Sequence, residues 1–263
     1  MNIKSLLAGA LFALTLFATP AVVRADDPPV VAKADAKPVI IVRTYKDGET
    51  RRYSTQIKAN VMGMEILITG GQKITVKELK KDGSVVLSTE AEEGKMEIGG
   101  NPPETQPATK PATITRDKFG KLVEVVPSED QQTVWSPEIQ KLIYSIGDVI
   151  LNGKEVKQGE SWETELSNPA LKDKTFKVKT TFVGTDKVEE VEYLKVEQNV
   201  SVEVDADGAK MTVKTVQWLN PKDGSVFKAV TNVKNLPASI GSIDFDQTIK
   251  LAKPEEKKEK TDK

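Results

Sequence analysis

Alternation of polar and apolar side chains at a period of two, repeated in four runs across residues 174–235, constrains this chain more than any other feature. The runs are parted by Gly184-Thr185-Asp186-Lys187, by Asp205-Ala206-Asp207-Gly208 and by Lys222-Asp223-Gly224. A period of two sets one face of a strand on a core and the other in water. Turn residues at such short spacing join neighbouring strands as antiparallel hairpins, so the stretch reads as a β-meander. In its first strand Phe176, Val178 and Phe182 point one way, with Lys177, Lys179 and Thr181 opposite. In the next, Val191 and Tyr193 are out of phase with Leu194, Val196, Val200, Val202 and Val204, which predicts a bulge near Tyr193. Residues 211–219 carry apolar side chains on both faces, Trp218 among them, as expected of a strand covered on both sides.

The same alternation runs through the first part of the chain. Tyr53, Thr55, Ile57, Ala59 and Val61 share one face of a strand, and Arg52, Ser54, Gln56, Lys58 and Asn60 share the other. Before it, residues 39–45 read as a short strand ending in the hairpin turn Lys46-Asp47-Gly48. After it, Met62-Gly63-Met64 permits a sharp return into a long strand over 64–79, with a bulge or kink expected at Gly70-Gly71. Lys81-Asp82-Gly83 turns the chain into a further strand or hairpin over 84–98. Residues 99–113, with Pro102, Pro103, Pro107 and Pro111, read as a linker without packed structure. Residues 114–116 and 121–126 flank Lys118-Phe119-Gly120 as a small hairpin, Asn152-Gly153 signals another within 149–156, and 162–166 is a strand. The pentapeptide Lys81-Asp82-Gly83-Ser84-Val85 recurs at 222–226, which fits either a duplication or the reuse of a good turn.

One helix interrupts the strands. Ser136 can cap it, Pro137 stands at the first helical position and Gly147 follows its end. Ile139, Leu142, Ile143 and Ile146 then share one face, leaving Gln140, Lys141 and Ser145 for water. An aliphatic face of this kind must lie on something apolar, and the sheet is the candidate. The expected fold class is mainly β: a curved antiparallel meander, as a half-barrel or as two β-rich halves (39–126 and 127–252), with one amphipathic helix packed on the sheet.

Residues 1–25 read as a secretory signal peptide, with Lys4 in the n-region, an apolar run over 6–18, and Val23-Arg24-Ala25 before the cleavage point. That run is shorter than the roughly 20 residues of a membrane span, and no later segment is long and apolar enough to cross a bilayer. The expected product is soluble and exported, to the periplasm or beyond the cell, with a flexible leader over 26–38 and a disordered charged tail over 253–263. Without residues 1–25 the chain has 36 basic and 39 acidic residues, not the basic excess of a nucleic-acid binder. It contains no cysteine and no histidine, which removes thiolate metal sites, a cysteine nucleophile and the commonest general base.

No other chemistry stands out. Asp205-Ala206-Asp207-Gly208 alternates carboxylates as calcium loops do, but its glycine comes too early and Lys210 intrudes, so a hairpin turn is the better reading. Glu190 and Glu192 are expected on one face of a strand near Glu189, as a solvated surface rather than an acid/base pair; Asp244 and Asp246 read the same way. Nucleophile motifs and phosphate-cradling glycine loops do not occur, so neither an enzyme nor a cofactor is expected.

The turns and the run Val156-Lys157-Gln158-Gly159-Glu160-Ser161-Trp162 resemble an uncharacterised family of exported bacterial β-rich proteins. More loosely, the architecture is similar to lipoprotein-carrier half-barrels, in which an open antiparallel sheet wraps a helical plug. That resemblance implies an apolar or lipid-like ligand held between sheet and helix. The residues such a pocket would use here are Ile139, Leu142, Ile143, Ile146, Phe176, Val178, Phe182, Leu194 and Val196. The other expectation is a structural or assembly component of the cell envelope that binds a protein partner.

Overall fold

The computed structural model describes residues 37–128, 135–239 and 241–252. The expected signal peptide, nearly all of the leader and the charged tail therefore lie outside the described residues.

In the first part of the chain β1 (Val39–Ile40), β2 (Thr50–Val61), β3 (Met64–Leu79), β4 (Val85–Ala91), β5 (Gly94–Ile98), β6 (Glu104–Gln106), β7 (Ala112–Arg116) and β8 (Leu122–Val126) follow one another. The helix α1 (Pro137–Ile146) and the short β9 (Glu155–Val156) come next. The meander is β10 (Ser161–Ser167), β11 (Thr175–Val188), β12 (Val191–Glu203), β13 (Lys210–Leu219), β14 (Val226–Ala238) and β15 (Gly241–Leu251). Thirteen of these strands form one antiparallel sheet in the order β10-β11-β12-β13-β14-β15-β2-β3-β4-β7-β8, with β5 and β6 attached beside β3. The expected curved meander with one helix is what the chain forms, and the pairing of β15 with β2 joins both halves in a single open sheet.

The sheet curls around α1. Inward residues of β2, β3 and β5 (Ile57, Ile68, Met96) and of β11 to β15 (Val178, Val200, Val213, Val233, Phe245) share one packed cluster with Ile139, Leu142, Ile143 and Ile146. A second cluster fills the other end, where Val149, Leu151 and Ile41 meet Phe182, Leu194, Val196 and Ile249. Between the two clusters runs a polar row that cross-strand pairing aligns over five strands: Thr180, Gln198, Thr215, Thr231 and Gln247. All five are fully buried, at 0% exposure.

Several local expectations are corrected. Residues 39–45 do not form a hairpin with β2: β1 pairs with β9, and beyond Ile40 the chain turns inward to bury Ile41 and Arg43. Asn152-Gly153 accordingly closes no hairpin of its own, since the partner of β9 is β1. Residues 99–113 are not wholly unstructured, because β6 pairs with β5 between Pro103 and Pro107, the edge position that prolines tolerate. The irregularity expected at Gly70-Gly71 falls on the facing chain instead. β3 stays in continuous register with β2, and the break is at Glu92-Glu93, between β4 and β5. The glycines admit it: a Cβ at Gly70 would lie 3.3 Å from the Cα of Gly94.

In the meander, Gly184-Thr185-Asp186-Lys187 is not a turn. β11 passes through it with a bulge between Phe182 and Gly184, and the chain reverses at Glu189-Glu190, both left-handed (φ 51° and 66°). The same bulge replaces the one expected near Tyr193, and Glu190, in the turn, does not share a strand face with Glu192. Around α1, Ser136 caps the N-terminus as expected, its hydroxyl accepting from the Ile139 amide at 3.3 Å. Gly147, however, keeps a right-handed φ of −70°, and Gln140 and Ser145 are covered rather than solvated. The helix is a plug enclosed on more than its aliphatic face.

The two Lys-Asp-Gly-Ser-Val turns share one local chemistry: Asp82 and Asp223 each accept from the amide of the serine two residues on, at 2.8 and 2.9 Å. Their surroundings differ. At Gly83 (φ 86°) an added Cβ would lie 3.3 Å from the Lys118 Cβ, whereas at Gly224 (φ 65°) it would lie 2.0 Å from the Val42 carbonyl oxygen. Both Gly→Ala changes carry the left-handed cost of about 1–2 kcal/mol. Gly224→Ala must also displace residues 42–44, whose Thr44 amide donates to the Asp223 carbonyl at 2.9 Å. Urea denaturation is expected to show the larger loss for Gly224→Ala, with faster amide exchange at Thr44. Equal losses in the two variants would mean that this docking contributes nothing.

Candidate functional site

The nine residues expected to line an apolar pocket are all inside the sheet, at exposures of 8% or less. The structure does not bring them to one place. Ile139, Leu142, Ile143, Ile146, Phe176 and Val178 belong to the cluster around α1, while Phe182, Leu194 and Val196 belong to the cluster at the other end. The polar row lies between them. Thr180, in phase with Phe176, Val178 and Phe182, is the member of that strand that alternation alone assigns inward but hydropathy does not.

What occupies the middle of the sheet is a charged node that sequence reasoning missed. Leaving α1, the chain places Asp148 among Arg43, Arg116 and Gln217. Arg43 donates to both Asp148 carboxylate oxygens, through Nη1 to one and through Nη2 at 2.7 Å to the other. Its Nη2 also donates to Gln217 Oε1 at 2.8 Å, and Gln217 Nε2 donates to Asp148 Oδ1 at 3.1 Å. Arg116 approaches the carboxylate at 3.8 Å and donates to the Gly120 carbonyl at 2.8 Å and to the Tyr144 carbonyl at 3.0 Å. The last contact sets a cation on the C-terminal carbonyls of α1, where the helix dipole favours one. Gln198 completes the termination, donating to the Ile146 and Asp148 carbonyls at 3.2 and 3.1 Å and accepting from the Ile150 amide at 2.9 Å. With Gly147 in a right-handed conformation, this polar cap terminates the helix.

Burial by itself would raise the Asp148 pKa, but the Arg43 and Arg116 guanidinium groups outweigh it and hold the carboxyl below its ordinary range. Burial lowers the Arg116 pKa, while Asp148 and Tyr45 more than offset burial at Arg43 and raise it. Beside the node is a small pocket of about 70 Å³, lined by Arg43, Tyr45, Arg51, Tyr53 and Asp148 among others. Burial pushes the Tyr53 phenol up to about 12, against the pull of Arg51. Arg51 is itself held by Glu49 at 2.7 Å and Asp223 at 3.4 Å. Arg43, Arg51 and Arg116 thus face Asp148, Glu49 and Asp223, and the node carries no surplus charge with which to hold an ion. Among the described residues no three carboxylates converge as a metal site; Asp205 spends its side chain on the Ala209 amide within its turn. Asp244 and Asp246 bond Lys234 and Asn232 on an exposed face.

The concavity with the most distinctive geometry is at the sheet's open seam. β8 and β10 are the two ends of the strand order, and both border one cleft of about 380 Å³. Leu122 and Val123 form one wall, residues 165–167 the other, and Lys141 and Ser145 of α1 line it as well. β10 engages its outer carboxylates, with Glu163 on Lys177 at 2.9 Å and Glu165 on the Thr175 hydroxyl at 2.7 Å. β8 is less guarded: Val123 and Val126 are 58% and 54% exposed. A strand at a sheet edge leaves one row of backbone donors and acceptors without sheet partners.

Replacing Asp148 by Asn leaves two buried guanidinium groups short of their counter-ion, and the expected loss of stability is about 3–5 kcal/mol. The wild-type contribution also depends on pH. Because folding holds Asp148 below its unfolded value of about 3.9, the stabilisation is complete above that pH and is lost as pH falls through the lower folded value. Urea midpoints measured from neutral to acid pH should therefore drop more steeply in the wild type than in Asp148→Asn. Parallel curves would remove Asp148 from the ledger of acid sensitivity.

No family matches the chain, and no curated protein matches it. Among solved structures it is similar to a hypothetical lipoprotein, YmcC from Escherichia coli K12, at 12% identity and a TM-score of 0.27, over 80% of this chain and 91% of that one. It is also similar to DynF from the dynemicin biosynthesis pathway of Micromonospora chersina, at 10% identity and a TM-score of 0.22, over 90% of this chain and 96% of that one. Likeness at that level bears on neither ligand nor partner.

Proposed function

We propose that this chain is an exported, non-enzymatic binding protein of the cell envelope that takes an extended segment of a protein partner into the seam between β8 and β10. The observation that carries the reading is that two sheet edges border one cleft, with α1 beside them. A strand added there would pair its backbone with β8, β10 or both, the mode by which exposed edges recruit peptides. Val123 and Val126 would supply apolar contact, and Lys121 and Lys141 would favour acidic side chains on the incoming segment. Export rests on the signal-peptide reading of residues 1–25. The other reading, an apolar guest between sheet and helix, draws support from the aliphatic face of α1. Such a guest would have to displace side chains already packed against one another, because Leu142, Ile146, Val178 and Val196 are all at 0% exposure.

A photo-crosslinking residue placed at Val123 or Val126 is expected to capture a discrete protein in the cells that make this chain. The same residue at Val191, exposed at 51% on the β11–β12 hairpin, should not capture it. Equal capture from all three positions, or none from the seam, would end the seam reading. Uptake of added fatty acid or phospholipid in native mass spectrometry would favour the apolar guest instead.

A further inference from the structure

On the convex face of the sheet, away from α1, cross-strand pairing sets four residues side by side: Lys195 opposite Trp218, Trp218 opposite Lys228, and Lys228 opposite Lys250. Trp218 belongs to an outer cluster that also holds Tyr193, Val216, Val230 and Phe227. Lys195 and Lys228 reach one indole from the strands on either side of it, their Nζ atoms 5.2 and 4.8 Å from the Trp218 ring centre. Lys250 lies 5.6 Å from the centre of Phe227, which stacks on Tyr193 at 4.3 Å. Like charges directly opposite one another on a sheet are destabilising, so the Lys228–Lys250 pair is held against its own repulsion.

Counter-ions account for two of the three cations. Asp186 lies 3.5 Å from Lys195 and accepts the Trp218 indole N–H at 2.9 Å, and Glu189 takes Lys250. Lys228 is half-buried, and among the described residues no carboxylate comes within ion-pairing distance of it; around it are the indole, the two other lysines and, farther off, Asp186, which is already engaged by Lys195 and the indole N–H. Burial first, then Lys250 and Lys195, bring its pKa down, against the opposing pull of Asp186. The arrangement has a cationic place for one negative charge, beside aromatic surface.

We propose that the row Lys195–Trp218–Lys228–Lys250 is a binding site for the singly charged oxyanion of a ligand, a carboxylate or a phosphodiester, with Lys228 as its counter-ion. An oxyanion between the Lys228 and Lys250 ammonium groups relieves their repulsion, and its organic portion rests on the half-buried Phe227 ring, which Tyr193 backs from beneath. The site is on the opposite face of the sheet from α1 and does not depend on the seam.

Acetate and dimethyl phosphate, titrated into the full chain with the lysine ammonium and tryptophan indole NMR signals observed, test it directly. Saturable shifts confined to Lys228, Lys250 and Trp218 are expected, with at least a tenfold loss of affinity in Lys228→Gln and none in Lys214→Gln, whose lysine is paired with Glu197 at 3.0 Å. Vesicles of phosphatidylglycerol and of phosphatidylcholine distinguish a lipid source from a soluble one. A response to phosphatidylglycerol alone that Lys228→Gln abolishes supports the site with a lipid head group as its source. No response to any of these probes, an equal response to phosphatidylcholine, or the same response in Lys228→Gln overturns the proposal.

Discussion

The position of α1 within the sheet depends on one buried carboxylate. Asp148 leaves the helix end and is met by Arg43 from the segment after β1, by Arg116 from the end of β7 and by Gln217 from β13. A carboxylate taken out of water costs several kcal/mol unless its partners are in place, and removing one partner exposes that cost. Apolar contact has no directional preference, so the aliphatic face of α1 does not by itself fix how far the helix slides along the sheet. The hydrogen bonds of Asp148 and Gln198 do, because each has one geometry in which its partners are reached. Aliphatic packing holds the plug inside, and the polar row sets its depth.

Much of this fold was legible in the chain. The alternation of Tyr53, Thr55, Ile57, Ala59 and Val61 is the buried face of β2, and Ser136 and Pro137 begin α1 where their chemistry requires. Both Lys-Asp-Gly-Ser-Val turns form. The rest failed for identifiable reasons. Glu189 and Glu190 reverse the chain in a left-handed conformation that propensity reserves for glycine and asparagine, so Gly184 drew the turn to itself. Gln198, Gln217, Thr215 and Thr231 are polar residues on an inward face, and hydropathy reads such positions as wet. The pairing of β1 with β9 joins segments more than a hundred residues apart and leaves no local signal. Arg43, Arg116 and Asp148 are three ordinary charges until the fold brings them together.

The two faces of the sheet divide the work. Inside, the aliphatic residues that suggested a pocket are spent on two clusters and the charged residues on one another. Outside, the alternation that put Trp218 out of the core gave it a smaller cluster of its own, roofed by lysine stems. Long cationic side chains cover apolar surface while keeping their heads in water, which explains how an indole on a convex face is only 5% exposed.

The pairing of β15 with β2 has a consequence for how the molecule is made. Leu251 must find Tyr53, and Asp244 must find Asn60, so a strand made much later along the chain completes the neighbourhood of one made well before it. Contacts this remote along a polypeptide are slow to form. Until they do, each partial sheet presents a raw border to any passing strand. In a nascent molecule of this design β2 has β3 on one side and keeps its other edge bare until residues 241–251 have been made.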